Sequence, residues 1–267
     1  MSLPVFRRYV ALGDSSTEGL NDPDGQGGFR GWADRLADRL ADHLWQQHGE
    51  PLRYANLAIR GRRAGPIRAE QLAPALAMEP DLATVFAGTN DAIGREFDVE
   101  AVAGEVRAMQ RALIDRGATV LTFTMPDLTA VMPLARRFAP RLEVLNQALR
   151  QVAGETGALL VDFAHFPTTG DRRFWSDDRM HANALGHERM AAALADALGL
   201  PGSDRSWADP LPPSPPTGAV ERWTDDARWA RDHLLPWAWR RARGRSRGDG
   251  RGPKRPELQS LAPPIAD

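Results

Sequence analysis

Val10-Ala-Leu-Gly-Asp-Ser-Ser-Thr-Glu-Gly-Leu20 decides how the rest of the chain is read, because an apolar run stops at Gly13 and small polar residues take over. The β-forming and apolar residues from Phe6 to Leu12 predict a buried first strand rather than an amphipathic helix. Gly13 lets the chain turn sharply as it leaves the sheet. Asp14, Ser15, Ser16 and Thr17 are all good helix N-cap residues, so a helical turn is expected to begin there. Its free N–H groups then point at whatever sits beside Ser15, as a nucleophile that must stabilise a developing oxyanion requires.

Composition narrows the chemistry. With 267 residues the chain can bury a sizeable core, and 42% apolar with 26% charged residues is the balance of a soluble globular protein. A formal net charge of −1 gives no reason to expect nucleic acid as a partner. The absence of cysteine excludes disulfides, thiolate metal sites and a Cys nucleophile. The first ten residues hold no apolar stretch long enough for a signal peptide, and no window approaches a membrane span, so a cytoplasmic location is expected.

Beyond the Ser15 turn, Asn21 to Gly31 is a loop by its Gly, Pro and Asp content. Asp22 and Asp24 alternate as in half a calcium loop, but Ala33 stands where such a loop needs a bidentate Glu, so no metal is assigned. Trp32, Leu36, Leu40 and Leu44 recur every fourth position and predict an amphipathic helix. Further strands are read at 52–57, 81–87, 119–123 and 158–163, with helices at 67–78, 99–116, 140–155 and 184–198. Five strands alternating with helices predict one parallel sheet covered on both faces. Functional groups gather beyond the C-terminal ends of such strands, which brings Ser15, Gly61 and Asn90 to one edge.

A serine nucleophile needs a base, and neutral His is the natural one near pH 7. His43, His48, His165 and His233 are read as structural or solvated, and His187, inside the last helix, as a packed, hydrogen-bonded residue. His181 lies in the polar loop Trp175-Ser-Asp-Asp-Arg-Met-His-Ala-Asn183, three residues after Asp178. That spacing lets a carboxylate hold one ring nitrogen while the other faces Ser15. Spacing alone does not separate Asp178 from Asp177.

With these residues in view, the sequence resembles the SGNH hydrolase superfamily, the GDSL-type lipases and esterases. Four blocks stand in the family's order: Gly13-Asp14-Ser15, the Gly61 loop after Asn56, Gly88-Thr-Asn90-Asp91, and Asp178-x-x-His181. The resemblance spans roughly residues 5 to 200. It implies a three-layer α/β/α, flavodoxin-like fold with a five-stranded parallel sheet. It implies Ser15 as nucleophile, His181 as general base and then acid, and Asp178 as the group that orients His181, a task that family members share with a backbone carbonyl. It also implies an oxyanion hole of the Ser15 N–H, the Gly61 N–H and the Asn90 side-chain amide. Asp14 and Asp91 are read as loop braces. The family's Leu after the nucleophile is Ser16 here, which removes no group the mechanism needs.

The function expected is hydrolysis of a small-molecule carboxylic ester through an acyl-enzyme. Carbohydrate deacetylation, thioester hydrolysis and a non-catalytic binding module are the alternatives. No phosphate-binding or dinucleotide motif is present, so no cofactor is implied.

Residues 1–200 are assigned to the hydrolase domain and 201–267 to a Pro-, Trp- and Arg-rich extension. Pro210 to Pro216 reads as an extended linker, and Glu221 to about Arg243 as a helix that Pro236 kinks or interrupts. Its tryptophans predict docking on the hydrolase domain or a second subunit, and the oligomeric state is left open. The run Arg240 to Arg255, with eight basic residues and one acid, suggests weak contact with an anionic membrane; a solvated tail is the plainer reading.

Overall fold

The structure, a computed structural model, describes residues 4–215, 218–243 and 248–262. Strands β1 (Arg8–Leu12), β2 (Leu52–Asn56), β3 (Leu82–Val85), β4 (Thr119–Phe123) and β5 (Leu159–Val161) pair in parallel in the order β5-β4-β3-β1-β2. Chain order therefore reverses between β1 and β3, and ligands of doubly wound sheets bind at that switch point. Ser15 follows β1 and Asn90 follows β3, so the two lie on either side of it.

Alternation along the strands feeds two cores. Tyr9 and Ala11 face one layer, and Val10 and Leu12 the other. On the first face lie helix α2 (Gly31–His48) and helix α7 (Ala184–Leu198), which pack on each other. Trp32, Leu36, Leu40 and Leu44 of α2 are buried there, each contributing about 1.5–3 kcal/mol by leaving water. On the second face lie α3 (Ala64–Ala77), α5 (Val99–Ile114) and α6 (Ala139–Thr156), burying Ile67, Val106, Met109, Leu145 and Leu149. Two short helices, α1 (Ser15–Glu18) and α4 (Thr89–Ala92), stand at the sheet's C-terminal edge.

The start of α2 is capped from a distance. Arg30 gives no side-chain cap, but Asp22 Oδ2 accepts from Gly31 N–H (3.0 Å) and His187 Nδ1 from Trp32 N–H (3.1 Å). Gly31 and Gly19 approach so closely that a Cβ on Gly31 would lie 2.2 Å from Gly19 Cα, which locks α1 against α2. Asp22 is consumed by Gly31 and Arg35, and Asp24 by the turn N–H groups of Gln26 and Gly28.

The sheet has six strands rather than five. Strand β6 (Arg255–Leu261) pairs antiparallel with β2 at the edge. Its residues are half-buried to exposed, so it lacks the apolar run that marks the inner strands. Lys254, ahead of it, is half-buried and pairs with Asp34 (2.9 Å), whose other oxygen accepts from the Tyr54 hydroxyl; Arg255 lies 3.5 Å from the same carboxylate. Two of the basic run's cations thus face the buried Asp34 carboxylate, and residues 244–247 of that run lie outside the described residues.

The Trp-rich segment is an arm of α8 (Ala219–Trp229), a π-turn (Ala230–Leu234) and α9 (Leu235–Ala242). Pro236 does not break it: the wider turn just ahead accommodates the missing N–H and the ring, so the helical path continues. Among the described residues no helix is long and apolar enough to cross a membrane.

Candidate active site

Gly13 leaves β1 with its backbone held at both ends by one buried side chain. Gln71 Oε1 accepts from Gly13 N–H (2.8 Å), and Gln71 Nε2–H donates to Gly13 O (2.9 Å). Asp14 then caps α1 by accepting from Ser16 N–H (3.1 Å), which puts Ser15 at the helix's first position. Burial pushes the Asp14 carboxyl up to about 6, against the opposing pull of Ser16 N–H, His181 and the Asn90 amide. Ser16 turns inward, its Oγ accepting from the Trp32 indole N–H (3.2 Å), a partner that a leucine at this position would lack.

The loop 175–182 is a tight hairpin. Trp175 bridges Ala182, Ser176 N–H donates to His181 O (2.9 Å), and Arg179 N–H donates to Ser176 O (3.0 Å) with Arg179 in the left-handed region (φ 59). Asp178 organises the hairpin from inside: Oδ1 accepts from Ser176 Oγ–H (2.8 Å), Met180 N–H (3.0 Å) and His181 N–H (3.0 Å). Its Oδ2 accepts from His181 Nδ1–H (2.7 Å) and Asn21 Nδ2–H (2.8 Å). Burial opposes ionisation here, but the His181 ring and the backbone N–H groups prevail and hold this carboxyl well below the usual range. With Nδ1 carrying the proton, His181 Nε2 is the acceptor, and it lies 2.8 Å from Ser15 Oγ. Asp177 points to solvent, its side chain 99% exposed, and Asp178 is the acid that meets His181.

Gly61 and Asn90 meet the same edge. Asn56, buried, donates to Thr17 O (2.9 Å) and accepts from Ala58 N–H (3.1 Å); Ile59 N–H donates to Gly13 O, and Arg60 clamps Glu18. These bonds bind the Gly61 loop to the Ser15 turn. Gly61 adopts φ 77, where a side chain would be strained, and its N–H has no partner among the described residues. Asn90 Nδ2 donates to Asp14 Oδ2 (2.7 Å) and Arg62 O (3.0 Å), so its amide is aimed from below by Asp14. Asp91 braces the start of α3 by accepting from Ala64 N–H (3.0 Å). The structure thus brings Ser15, His181 and Asp178 into one relay, with Gly61 and Asn90 beside Ser15 at the mouth of one crevice.

Sequence reasoning missed three groups. Asn21 is the second side-chain donor to Asp178 Oδ2, and its φ of 72, which Asn tolerates better than most residues, is the local signature. Gln71 is a polar residue on the buried face of α3, a pattern that always asks for a partner. The third group comes from the arm. Trp229 Nε1–H donates to Asp178 O (3.0 Å), Arg179 stacks its guanidinium on the Trp229 ring (5.1 Å), and Arg179 pairs with Asp226 (2.5 Å). The arm therefore grips the Asp178–His181 hairpin directly. His187 is buried with Nε2–H donating to Leu20 O (3.2 Å), and burial lowers its pKa to about 4, so it stays neutral and structural.

Two spaces open from Ser15. One is a small cavity of about 90 Å³, walled by Phe86, Phe123, Phe163, Phe174, Trp175 and Trp207. The other is a crevice of about 620 Å³ between the Gly61 and Asn90 loops and the arm, with Trp229, His233, Leu234, Trp237 and Arg240 forming its far wall.

Residues 11–189 match the GDSL-like Lipase/Acylhydrolase family. An acetylxylan esterase from Geobacillus stearothermophilus is 23% identical over 218 residues, 75% of this chain and 97% of that protein. A catalytic variant of an acetylxylan esterase from the same organism shares the fold with a TM-score of 0.62 at 18% identity, over 77% of this chain and 100% of its own. A protein described as a GDSL-like lipase, from Parabacteroides merdae, does so at 0.62 and 20% identity, over 74% and 98%. The chain belongs to the GDSL-like lipase/acylhydrolase family and is an ester-hydrolysing enzyme.

Proposed function

We propose that this chain is a serine hydrolase that cleaves short-chain carboxylic esters through an acyl-enzyme on Ser15. The observation that carries the reading is the relay from Asp178 Oδ2 through His181 to Ser15 Oγ, at 2.7 and 2.8 Å. His181 Nε2 takes the Ser15 proton as Oγ attacks the ester carbonyl, and Asp178 stabilises the imidazolium that forms. The tetrahedral oxyanion is met by the N–H groups of Ser15 and Gly61 and by Asn90 Nδ2, which gives up its bond to Arg62 O. The imidazolium then protonates the departing alcohol, leaving an acyl ester on Ser15. Water enters by the same base, and its attack returns the free acid and Ser15. Each oxyanion donor is worth about 3 kcal/mol in such a transition state.

The small aromatic-walled cavity supports the short acyl chain. At about 90 Å³ it is smaller than the roughly 150 Å³ that an engineered cavity offers benzene, so acetyl to butanoyl groups fit and long chains do not. That the acetylxylan esterase relative takes an acetyl substrate by name agrees with this size. The larger, open crevice then receives the alcohol part, which can leave while the acyl-enzyme persists. Hydrolysis of p-nitrophenyl esters from acetate to decanoate tests the reading: kcat/KM is expected to be highest at acetate to butanoate and to vanish in Ser15→Ala. Equal turnover by Ser15→Ala would overturn it.

A further inference from the structure

The crevice on the alcohol side of Ser15 is apolar in its floor and cationic at its rim. Ile93, Met132, Leu134, Phe138 and Trp237 give it an apolar lining, whereas Arg60, Arg63, Arg95 and Arg240 bring guanidinium groups to it from three elements of the fold. Asp178 is the one carboxylate among its described lining residues, and it is fully engaged by His181, Asn21 and the hairpin. Arg60 is neutralised by Glu18. Arg63 and Arg95 are not: both side chains are exposed, and neither makes an ion pair among the described residues. Arg63 also reaches the loop that carries Arg95. A Cβ built on Gly94 would sit 3.2 Å from Arg63 Nη2, so the Arg63 guanidinium lies over the residue next to Arg95.

Two guanidinium groups at the rim of one apolar trough, neither held in an ion pair among the described residues and with Asp91 acting on Arg63 only from alongside, can take up a carboxylate or phosphate oxygen pair. Across the trough the arm adds the Arg240 guanidinium to the same rim. A neutral alcohol would gain nothing from that arrangement, and a cationic one would be repelled.

Resting on the Ser15 reading, we infer that the alcohol part of the natural substrate carries an anionic group, a carboxylate or a phosphate, which binds at Arg63 and Arg95 while its apolar body lies along the crevice. Arg63 and Arg95 are then specificity-determining residues.

The test uses chromogenic esters that differ in one group: p-nitrophenyl acetate bearing, ortho to the nitro group, a carboxylate, a phosphate or a neutral carboxamide. The wild-type chain is expected to favour the charged esters over the carboxamide by about tenfold in kcat/KM, mostly through KM, because exposed ion pairs are individually modest and two act together. The preference is expected to shrink as salt rises and to fall below about twofold in the double variant Arg63→Gln/Arg95→Gln. The carboxylate-to-phosphate ratio identifies which anion is recognised. Equal kcat/KM for charged and neutral esters, or an undiminished preference in the double variant, would overturn the proposal. If no ester is cleaved, the Ser15 reading fails, and calorimetric binding of the corresponding phenols decides the anion site alone. Tighter binding of the charged phenol that is lost in the double variant sustains it, and equal binding refutes it.

Discussion

Replacing Asp178 by Asn changes one atom at the centre of the relay, and the structure states what that atom does. Oδ2 faces two donors, His181 Nδ1–H and Asn21 Nδ2–H, while Oδ1 faces three. An asparagine can keep its carbonyl toward the three, but its NH2 then meets two donors. The imidazole relieves the clash by moving its proton from Nδ1 to Nε2. Nε2–H then faces Ser15 Oγ, and no lone pair remains to take the serine proton. The same substitution in a well-studied serine protease lowers kcat by about 10⁴, and a loss of about 10³ to 10⁴ is expected here. Stability should fall by only about 2–3 kcal/mol, for two charge-assisted hydrogen bonds made neutral or lost. Because the Asp178 carboxyl is held below its unfolded value of about 3.9, the stability it confers is present at pH 7 and is lost as pH falls below about 4. The stability gap between wild type and variant should therefore close in acid. Steady-state kcat on p-nitrophenyl acetate, with circular dichroism to show the variant folded, makes the check. A loss of less than tenfold in a folded variant would refute the tautomer argument and assign the orientation of His181 to a backbone carbonyl instead.

Other parts of the account predict smaller effects. Trp229→Phe keeps a ring beneath Arg179 but removes the N–H bonded to Asp178 O, so kcat should drop about three- to tenfold with little change in melting temperature; an unchanged kcat would free the hairpin from the arm. Burial holds the folded His187 near 4, below an unfolded value of about 6.5, so the unfolded chain binds more protons between those values and stability falls as pH drops through them. Urea unfolding at pH 7 and 4.5 should differ by roughly 2–3 kcal/mol from this source, less in His187→Gln, and an identical gap in that variant would exclude His187 as its origin. Lys254→Met leaves the buried Asp34 carboxylate with Tyr54 and the more distant Arg255, and should cost about 2 kcal/mol in chemical denaturation; no loss would mean that the pair does not fasten β6.

How much of this was legible in the sequence depended on how local the determinant is. The Ser15 turn was readable because an apolar strand, a glycine and an N-cap aspartate are consecutive, and each forces its own geometry. His181 and its carboxylate were readable as a spacing, but Asp178 and Asp177 differ only in which way the hairpin winds. That winding is set by Arg179 in the left-handed region and by the five donors around Asp178. Asn21 and Gln71 reach their partners across 157 and 58 residues, and no periodicity reports such contacts. Strand β6 escaped because an edge strand with polar residues on its open side has no apolar signature. The arm was visible as tryptophans in need of a surface, but which surface they cover depends on Trp229 finding a main-chain carbonyl on the Asp178–His181 hairpin.

The most direct measurement of the central claim is the intact mass of the chain after treatment with a fluorophosphonate, followed by identification of the labelled peptide. The account predicts one adduct per chain, on Ser15, absent from Ser15→Ala and formed far more slowly in Asp178→Asn. A wild-type chain that is folded yet unlabelled, or one labelled at another residue, would contradict Ser15 as the activated nucleophile.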